Sequence, residues 1–489
     1  MIAPAMMLRE LIKDLPIEVK GSKSVRIQGL VFDSRICFPG ALFIAKRGSS
    51  FDGTLFISQA IAAGASVILT DLYDPFLKGV VQLIHPHPEE VEAILAARFY
   101  RAPSKELFVF GVTGTNGKTT TATLVKHLLD SLGRSCGLIT TVETVAGERR
   151  FKSTLTTHDV IFNQKMLREM RDKGNRAASI EVSSHGLVQG RVKEIDFDVC
   201  LFTNLTPDHL DYHKDMEEYA AAKGLLFELL EKSGKEKKCA IANGDDPISQ
   251  QILIKYRGPR ILFGFSEKNE LYADALQFAP SGTEFTVHAR GASVRFSVPL
   301  IGRVNVYNLL GAIAVGLHLG SSLKEMAEIF SRARSAPGRL DRVPNERGMN
   351  LFVDHAHTED ALDAALKTLR SIAKGRVIVV FGAGGGRDKG RRQGLARAAE
   401  RGADLAIVTT DNPRQEDPEE ICRQILSGFA SRSQVRVELD RRKAIELAIQ
   451  AANPDDLVLI AGKGHETTQI FARETISFDD RAVALELLR

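Results

Sequence analysis

The sequence contains few cysteines for its length, and they are dispersed. Its 489 residues include five cysteines, Cys37, Cys136, Cys200, Cys239 and Cys422, with no CxxC pair among them. An odd and scattered set of thiols argues against a disulfide framework and against a thiolate metal site. The sequence therefore predicts a reducing compartment, of which the cytoplasm is the simplest.

The sequence also lacks a large excess of one charge and a long apolar run. Its 65 basic and 61 acidic residues leave a formal net charge of +4, which indicates neither a nucleic-acid partner nor an acidic membrane surface as a target. No apolar run approaches the ~20 residues of a transmembrane helix, and residues 1–8 lack the basic start and apolar core of a signal peptide. We therefore expect a globular protein of roughly three domains without membrane insertion.

Repeats and low-complexity tracts are absent too, and two short segments divide the chain. Residues 102–105 and 335–338 combine Pro with Ser, as linkers do. Elsewhere, strand-like apolar runs alternate with helix-like runs, which is typical of parallel sheets with crossover helices, whereas residues 276–298 read as an antiparallel excursion. We predict an α/β protein with segments 1–103, 104–334 and 335–489, the last of them a doubly wound sheet.

Residues 108–121 form the most informative motif of the chain. An apolar run rich in Val and Phe leads through three glycines to Lys118-Thr119, and a helical pattern follows. Such a loop turns backbone N–H groups toward a phosphate, the helix N-terminus and Lys118 add positive charge, and the Thr119 hydroxyl can ligate Mg²⁺. The spacing departs from the common phosphate loop because position 112 is Val. A glycine turn with a solvated Lys118 is the alternative.

Acidic and histidine residues follow the next two predicted strands. Glu181 ends one strand, where a carboxylate is well placed to hold or orient Mg²⁺ beside a nucleotide. Residues 203–213 contain two Asp and two His, and this cluster suits hard-cation or acid–base chemistry better than zinc. A solvated Glu181 and a polar capping loop are the structural alternatives.

Two further residues are ambiguous in their local sequence. Lys223 lies between small residues on an apolar helix, and most such lysines extend to water. Asn308 precedes an Ala-rich helical run, where an amide can read an adenine edge or cap the helix. The local sequence favours the cap.

Cations end a glycine-rich loop in the last segment. Residues 381–390 invite a dinucleotide-binding interpretation, but the last position of that pattern is Arg387, which favours an anionic group such as a carboxylate or a phosphate. The downstream arginines Arg391, Arg392 and Arg397 are expected to form a solvated helix face.

Two more loops at predicted strand ends carry charge. Asp411 and Arg414 would form a paired hook for an amino-acid head group, although Asp-Asn-Pro is also a common turn opener. Glu466 adds a second anion from the other loop. If the loops converge, Arg387 and Arg414 with Asp411 and Glu466 complement a diamino dicarboxylic acid.

Taken together, these motifs resemble those of the Mur ligase family, ATP-dependent amino-acid ligases of bacterial cell-wall synthesis. The resemblance covers nearly the whole chain, and the family's phosphate loop has the same Thr-Gly-Thr-Asn-Gly-Lys-Thr form. It implies a UDP-sugar domain, a central phosphate-loop ATPase domain and a C-terminal Rossmann-like domain for the amino acid. The motifs that carry it are Asp33-Ser-Arg35, residues 113–119, Glu181-Val-Ser-Ser-His-Gly-Leu187, Asp208-His-Leu-Asp-Tyr-His213, Asp411-Asn-Pro-Arg414 and Gly462-Lys-Gly-His-Glu466.

The resemblance also implies roles for individual residues. Positions that match contacts to ATP are Gly114, Thr115, Asn116, Gly117, Lys118, Thr119, Thr120, Asn308, Arg339 and Asp354. Positions that match contacts to the UDP-muramoyl dipeptide are Phe32, Ser34, Ser49, Ser50, Phe51, Thr156, Thr157, Ser183, Gln189 and Arg191. Those that match a diaminopimelate pocket are Arg387, Asp411, Asn412, Pro413, Arg414, Gly462 and Glu466.

For the reaction itself, the resemblance implies catalytic roles for Lys118, Glu181, His209 and Lys223. Glu181 and His209 match Mg²⁺ ligands, and Lys223 matches a lysine that is carbamylated in this family. An uncharged lysine amine adds CO₂ and becomes an anion able to hold a second Mg²⁺. This implication reverses the expectation from the local sequence that Lys223 extends to water.

The expected activity is ATP-dependent addition of meso-2,6-diaminopimelate to the D-glutamate of UDP-N-acetylmuramoyl-L-alanyl-D-glutamate, through an acyl phosphate, by a monomer. Arg414 argues against lysine as substrate, because lysine has no distal carboxylate to pair with it. The alternatives are another Mur-type ligase, a folylpolyglutamate ligase, which Asp33-Ser-Arg35 disfavours, and a nucleotide-gated binding module that does not ligate. The chain departs from the family pattern in two places, at His355 with Glu359 and at His158-Asp159. We expect neither departure to remove activity.

Overall fold

Short apolar runs become buried strands in the computed structural model, which describes residues 5–47, 52–209 and 212–489. The chain falls into two compact units, Met1–Lys118 with Leu129–Leu262, and Thr119–Leu128 with Phe263–Arg489. These units do not follow the segments 1–103, 104–334 and 335–489, so those boundaries stay a prediction. None of the described helices is both long and apolar enough to span a bilayer.

The first part of the first unit is a small α/β layer. Its sheet has the order β2-β7-β6-β5-β4, in which β4 to β7 are parallel and β2 pairs antiparallel at the edge. The apolar faces of its helices pack on this sheet. The elements are β1 (Met6–Met7), α1 (Leu8–Leu11), β2 (Glu18–Lys20), β3 (Arg26–Ile27), β4 (Gly29–Val31), β5 (Ala41–Ile44), α2 (Ile57–Ala62), β6 (Val67–Thr70), β7 (Val81–Ile84) and α3 (Pro88–Phe99).

The second part of that unit surrounds one central strand. The elements that follow along the chain are β8 (Phe108–Thr113), α4 (Lys118–Ser131), β9 (Cys136–Ile139), β10 (Glu143–Ala146), β11 (Arg149–Lys152), α5 (Val160–Asp172), β12 (Ala177–Glu181), α6 (Ser184–Val188), β13 (Val199–Phe202), α7 (Met216–Lys232), β14 (Cys239–Asn243), α8 (Ser249–Ile252) and β15 (Arg260–Gly264). β8 lies between β12 and β13 and is parallel to both. The loops that leave these three strands therefore start at the same edge of the sheet, where ligands bind in such folds.

An antiparallel excursion opens the second unit, as the alternation of residues 276–298 predicted. Each strand pairs with the next in the order β16-β17-β18. The Ala-rich run becomes a helix that is buried over most of its length. The elements are β16 (Leu271–Ala279), β17 (Gly282–Ala289), β18 (Ala292–Val298), α9 (Arg303–His318) and α10 (Leu323–Phe330).

The last part of the second unit is the doubly wound sheet that the sequence predicted. Its order is β19-β20-β24-β21-β22-β23, with only β19 antiparallel. Residues of α11, α12 and α13 pack on one face, and residues of α14 and α15 pack on the other. The elements are β19 (Asp341–Arg342), β20 (Asn350–Asp354), α11 (Glu359–Arg370), β21 (Val377–Phe381), α12 (Gly390–Gly402), β22 (Leu405–Val408), α13 (Pro418–Leu426), β23 (Val435–Val437), α14 (Arg441–Ala451), β24 (Leu457–Ala461), β25 (Thr468–Ile470), β26 (Thr475–Ser477) and α15 (Asp480–Leu487).

Candidate active site

The glycine-rich loop between β8 and α4 has a backbone that only glycine adopts readily. Gly114 has φ +148° and Gly117 has φ +85°, in the half of conformational space where side chains are strained. A Cβ at Gly114 would lie 1.8 Å from Oγ1 of Thr203. The amides of Thr115 and Asn116 donate to Asn204 at 2.8 and 3.0 Å, which fixes the loop against the end of β13.

Lys118 starts α4 and folds back over this loop. Its Nζ donates to the carbonyls of Gly114 at 3.0 Å and Thr115 at 2.8 Å. The loop thus carries a full positive charge beside the partial positive charge of a helix N-terminus. Lys118 is therefore bound to the loop, and the alternative of a glycine turn with a solvated Lys118 does not hold.

Lys223 is buried on the inner face of α7, so the expectation from its local sequence that it extends to water is wrong. Its side chain is almost wholly buried, its Nζ donates to the Gly114 carbonyl at 2.8 Å, and it lies 4.2 Å from the ring centre of Tyr219. Burial, reinforced by the nearby Lys118 cation, holds the pKa of Lys223 well below its usual value. The neutral amine is therefore favoured, and this is the form that can react with CO₂.

Glu181 ends β12, and Thr141 binds both oxygens of its carboxylate. Oε2 accepts the backbone N–H of Thr141 at 2.9 Å, and Oε1 accepts its hydroxyl at 3.0 Å. Oγ1 of Thr141 also lies 3.1 Å from Oγ1 of Thr156. The carboxylate is buried and oriented, which excludes the alternative of a solvated Glu181.

The residues predicted to hold the muramoyl dipeptide lie in one connected network. Thr157 donates its hydroxyl to the Glu181 carbonyl at 3.1 Å and accepts the Ser183 amide at 2.9 Å. Arg191 donates to the Thr157 carbonyl at 2.6 Å and to Oε1 of Gln189 at 2.6 and 3.0 Å. Ser183 is also the N-cap of α6, so its structural role and its predicted role coincide.

His209 lies in a group of aromatic rings next to these residues. Its backbone has φ +54°, and its Nε2 lies 3.5 Å from Asp208. The rings of His185 and Tyr219 are 5.0 and 6.2 Å from its ring, centre to centre. Within residues 5–47, 52–209 and 212–489, no three His, Cys, Asp or Glu side chains form a metal-ligand set. A magnesium ion here would need ligands from a bound phosphate, as is usual for Mg²⁺.

The predicted UDP-sugar residues are only partly described. Phe32 is half-exposed, with the Lys46 ammonium 5.2 Å from its ring centre. Ser34 is buried and donates to Oε1 of Gln59 at 2.8 Å. Ser49, Ser50 and Phe51 lie outside the described residues.

Asn308 does not cap a helix, so that interpretation of its sequence is wrong. It lies in the second turn of α9, whose N-cap is Gly302. Its Oδ1 accepts the Thr121 hydroxyl at 3.3 Å, and its Nδ2 donates to Oδ1 of Asn305 at 3.2 Å. A polar amide is not expected inside a buried helix. The hydrogen bonds to Thr121 and Asn305 explain why the Asn308 amide is tolerated there.

Asp354 ends β20 and holds the turn that carries Arg339. Its two carboxylate oxygens accept the amides of Leu340 at 2.7 Å and Ala356 at 2.8 Å. Burial raises the pKa of Asp354 above its usual value, although the Arg339 cation and these amides oppose the shift. Thr119, Thr120, Asn308, Arg339 and Asp354 belong to the second unit, and residues 114–118 to the first.

The three charged loops of the doubly wound sheet converge, as the charge-count hypothesis requires. The Gly385 amide donates to the Asn412 carbonyl at 2.9 Å, and the Arg414 guanidinium donates to the Gly385 carbonyl at 2.5 Å. A Cβ at Gly384 would lie 3.2 Å from Arg414 and 3.9 Å from Arg387. Both arginine side chains therefore approach the same glycine, Arg414 with its guanidinium and Arg387 with its Cγ.

The anions of this pocket lie on the neighbouring loops. Nδ2 of Asn412 donates to Oε2 of Glu466 at 2.7 Å, and a Cβ at Gly462 would lie 2.7 Å from Oδ2 of Asp411. Burial opposes ionisation of Glu466, but the Lys463 cation and the Asn412 amide outweigh it, and the pKa of Glu466 lies below its usual value. The described residues show no ion pair between Asp411 and Arg414, so the predicted hook consists of two separate charges.

Two buried arginines behind the pocket were not recognised from the sequence. Arg392 is almost fully buried and pairs with Glu416 at 3.0 Å, so its assignment to a solvated face is wrong. Its spacing from Leu395, Ala396 and Ala399, the buried side of α12, was the available signal. Arg391 and Arg397 are exposed as expected.

The second buried arginine lies beneath two pocket loops. Arg441 forms a fully buried ion pair with Asp480, with two contacts of 2.7 Å. It also donates to the carbonyl of Ala461 at 3.0 Å and to that of Thr410 at 3.5 Å. It therefore connects the strand ends that precede Asp411 and Gly462, a role that no local sequence pattern indicates.

The fold, the residues around the glycine-rich loop and the charged loops of the doubly wound sheet define an ATP-dependent ligase that forms amide bonds. The chain belongs to the Mur ligase family. Three family models match it, described as "Mur ligase family, catalytic domain" over residues 26–100, "Mur ligase middle domain" over 112–316 and "Mur ligase, glutamate ligase domain" over 338–464.

Full-length relatives carry one shared name. The UDP-N-acetylmuramoyl-L-alanyl-D-glutamate–2,6-diaminopimelate ligase of Chlamydia caviae is 42% identical over 487 residues, covering 99% of each chain. That of Geobacillus thermodenitrificans is 43% identical over 461 residues, covering 94% of each. A solved structure of a ligase with this name aligns with a TM-score of 0.73 at 30% identity, covering 99% of each chain.

Proposed function

We propose that this chain adds meso-2,6-diaminopimelate to the D-glutamate of UDP-N-acetylmuramoyl-L-alanyl-D-glutamate, with conversion of ATP to ADP and phosphate. The observation that carries the proposal is the convergence of two cations, Arg387 and Arg414, and two anions, Asp411 and Glu466, on adjoining loops. Diaminopimelate presents two carboxylates and two ammonium groups, which complement these four charges. The shared name of the full-length relatives supports the same substrates.

The first step is phosphoryl transfer from ATP to the D-glutamate carboxylate. Lys118 and the helix N-terminus that follows residues 114–117 would contact the phosphates and offset the charge that develops on them. Thr156, Thr157, Ser183, Gln189 and Arg191 form the network that would hold the dipeptide close to Glu181. The product of this step is an acyl phosphate.

The second step is attack by one amine of diaminopimelate on the acyl carbon. The amine must lose its proton before it attacks, the tetrahedral intermediate expels phosphate, and an amide remains. Arg414 and Arg387 would pair with carboxylates of the amino acid, and Glu466 and Asp411 with the ammonium that does not react. Holding the reacting amine in one place supplies much of the rate, because it removes the entropy cost of encounter.

Mg²⁺, when bound, neutralises phosphate charge during transfer. Glu181 and His209 are the side chains proposed to hold it together with phosphate oxygens. The buried, neutral amine of Lys223 fits the proposed carbamate. Its nitrogen would add to the carbon of CO₂ and lose a proton, and the resulting anion would be a further Mg²⁺ ligand.

We further propose that the chain acts as a monomer in the cytoplasm. None of the five cysteines, all of which lie in the described part of the chain, forms a disulfide, which is compatible with a reducing compartment.

Phosphate release that depends on the amino acid tests the proposed reaction. The assay contains ATP, Mg²⁺ and UDP-N-acetylmuramoyl-L-alanyl-D-glutamate, with meso-diaminopimelate and L-lysine in parallel. We expect release with diaminopimelate alone. Release with lysine would retain the ligase but contradict the charge argument, and release with neither would favour a binding module that does not ligate.

A further inference from the structure

Lys463 is a buried cation that none of the predicted roles includes. It follows Gly462 after β24, and its side chain has no exposed surface. Its Nζ donates to Oδ1 of Asn412 at 3.1 Å, to Oε2 of Glu466 at 3.2 Å and to the Thr468 carbonyl at 2.6 Å. An ammonium has three donors, so these acceptors use all of them.

These contacts fix the orientation of the Asn412 amide. Its Oδ1 accepts both Lys463 Nζ and the Ile470 amide, the latter at 3.0 Å. Because two donors face the oxygen, the nitrogen must point the other way, where it donates to Glu466 at 2.7 Å. Lys463 therefore sets which side of Asn412 meets the pocket carboxylate.

The same contacts leave one side of the Glu466 carboxylate open. Oε2 accepts Asn412 and Lys463, whereas no donor from the described part of the chain reaches Oε1. None of the described residues donates a hydrogen bond to the carboxylate of Asp411, and this residue is buried, with only 8% of its surface exposed. The buried carboxylate of Asp411 needs a donor from elsewhere, and the Glu466 side chain, which is 31% exposed, presents Oε1 to whatever enters the pocket.

The residues around Asp411 and Glu466 would be neutralised by one further cation. By formal charge, Asp411 and Glu466 contribute two carboxylates and Lys463 one ammonium, while the Arg441 guanidinium is paired with Asp480. The set therefore carries one uncompensated negative charge. A single ammonium group of a ligand would neutralise it and would satisfy the open oxygens.

We propose that Lys463 is a positioning residue of the amino-acid pocket, which directs Oε1 of Glu466 toward the ligand's ammonium group. The inference rests on the proposed function, since it assumes an amino acid as the ligand. Lys463 does not touch the substrate. It acts through Glu466 and Asn412, so its removal should affect the amino acid and not the nucleotide.

The test is a double-mutant cycle that joins Lys463→Met with Glu466→Gln. The Michaelis constants for diaminopimelate and ATP are measured by phosphate release. We expect Lys463→Met to raise the KM for diaminopimelate about tenfold or more and to leave the KM for ATP within about twofold. In the Glu466→Gln background, the same substitution should change the KM for diaminopimelate less than about twofold, because the group that Lys463 positions is already altered.

Two further variants keep the result interpretable. Lys443→Met removes a lysine of the same unit that is exposed on α14, and it should leave both KM values unchanged. If Lys463→Met does not fold, Lys463→Arg keeps the charge but not the three-acceptor geometry, and it should raise the KM for diaminopimelate alone.

Three outcomes would overturn the inference. They are an unchanged KM for diaminopimelate, an equal rise in the KM for ATP, and a full effect that persists in the Glu466→Gln background. A wild-type enzyme that releases no phosphate with any amino acid would instead remove the proposed function, and the two failures are therefore distinguishable.

Discussion

At the scale of single residues, the protein uses burial to alter lysine chemistry in two different ways. Lys223 lies in an apolar helix face beside another cation, and its pKa falls well below the usual value. Lys463 is equally buried but has a carboxylate partner at 3.2 Å and two further acceptors. The first environment disfavours the ammonium form, whereas in the second three acceptors fix the position of Nζ.

Lys223→Ala should be nearly inactive, and short-chain carboxylates should partly restore its activity. The reason is that the neutral amine is the form that becomes a carbamate, and a free carboxylate can replace that anion. Phosphate release with and without added acetate or propionate measures the effect. Lys232→Ala, an exposed lysine of the same helix, is the control and should remain active. Full activity of Lys223→Ala without added carboxylate would exclude the carbamate.

Arg414→Ala should weaken the use of diaminopimelate by about 2–4 kcal/mol in kcat/KM, because a bidentate contact to a buried carboxylate is lost. Arg414 also has φ +53° and a backbone bond of 3.0 Å to Ile470, so its position is set by the loop itself. Arg397→Ala, on the exposed side of α12, is the control. If kcat/KM for diaminopimelate is the same in Arg414→Ala and wild type, Arg414 is not in the pocket.

At the scale of secondary structure, the site consists of loops that leave parallel strands at one edge of a sheet. β8, β12 and β13 supply the loops that contain Gly114, Glu181 and Asn204. β21, β22 and β24 supply those of the amino-acid pocket. In both sheets, the strands are buried and rigid while the loops differ in chemistry, which is how such folds change substrates.

Gly114→Ala should abolish ATP use, because the new Cβ would lie 1.8 Å from Oγ1 of Thr203 in a backbone conformation unsuited to side chains. We expect about 1–3 kcal/mol of strain at this position. Denaturant unfolding and nucleotide binding measure the two effects. In Gly234→Ala, the nearest atom is 3.8 Å away, so this control should be close to wild type. Normal nucleotide affinity of Gly114→Ala would contradict the assigned phosphate loop.

Arg441→Met should lower the free energy of unfolding by about 3–5 kcal/mol, since it leaves Asp480 buried without its partner. The double variant Arg441→Met/Asp480→Leu should recover most of that loss. Chemical denaturation measures both. The neighbouring Arg442, whose pair with Glu486 is exposed at 2.8 Å, provides the matched control, and Arg442→Met should cost at most about 1 kcal/mol. Equal losses in Arg441→Met and Arg442→Met would show that burial of the ion pair is not decisive.

At the scale of the whole molecule, the chain forms two compact units, each with its own buried core. The proposed contacts to diaminopimelate all lie in the second unit, as do Asn308, Arg339 and Asp354. The proposed contacts to the dipeptide lie in the first.

Calorimetric unfolding should therefore show more than one transition, as is common for proteins with several cores. Diaminopimelate at about 100 times its dissociation constant should stabilise the second unit by about 2.7 kcal/mol and raise the temperature of its transition. The same scan on Arg414→Ala should show no such rise at that concentration. A shift of equal size in the variant would place the ligand elsewhere.

The strands of the doubly wound sheet and the antiparallel excursion could be predicted because their signals are local. Runs such as residues 376–381, 405–409 and 456–461 became strands to within one residue at each end. The candidate site residues were predicted from motifs and from a family resemblance, and their roles stay predictions. Arg392 and Asn308 were misjudged because the neighbours that bury them, Glu416 and Thr121, are distant in sequence.

The sequence by itself determined the fold class, and it predicted the phosphate loop and the set of charges offered to an amino acid. These follow from apolar periodicity and from residue types at fixed spacing, both of which are properties of short segments. Only the tertiary structure decided that Lys223 is buried with a lowered pKa, that the three charged loops converge, and that Lys463 and Arg441 lie beneath them. Burial and the pairing of charges depend on what lies across from a residue in space, and strands from distant parts of the chain supply those neighbours.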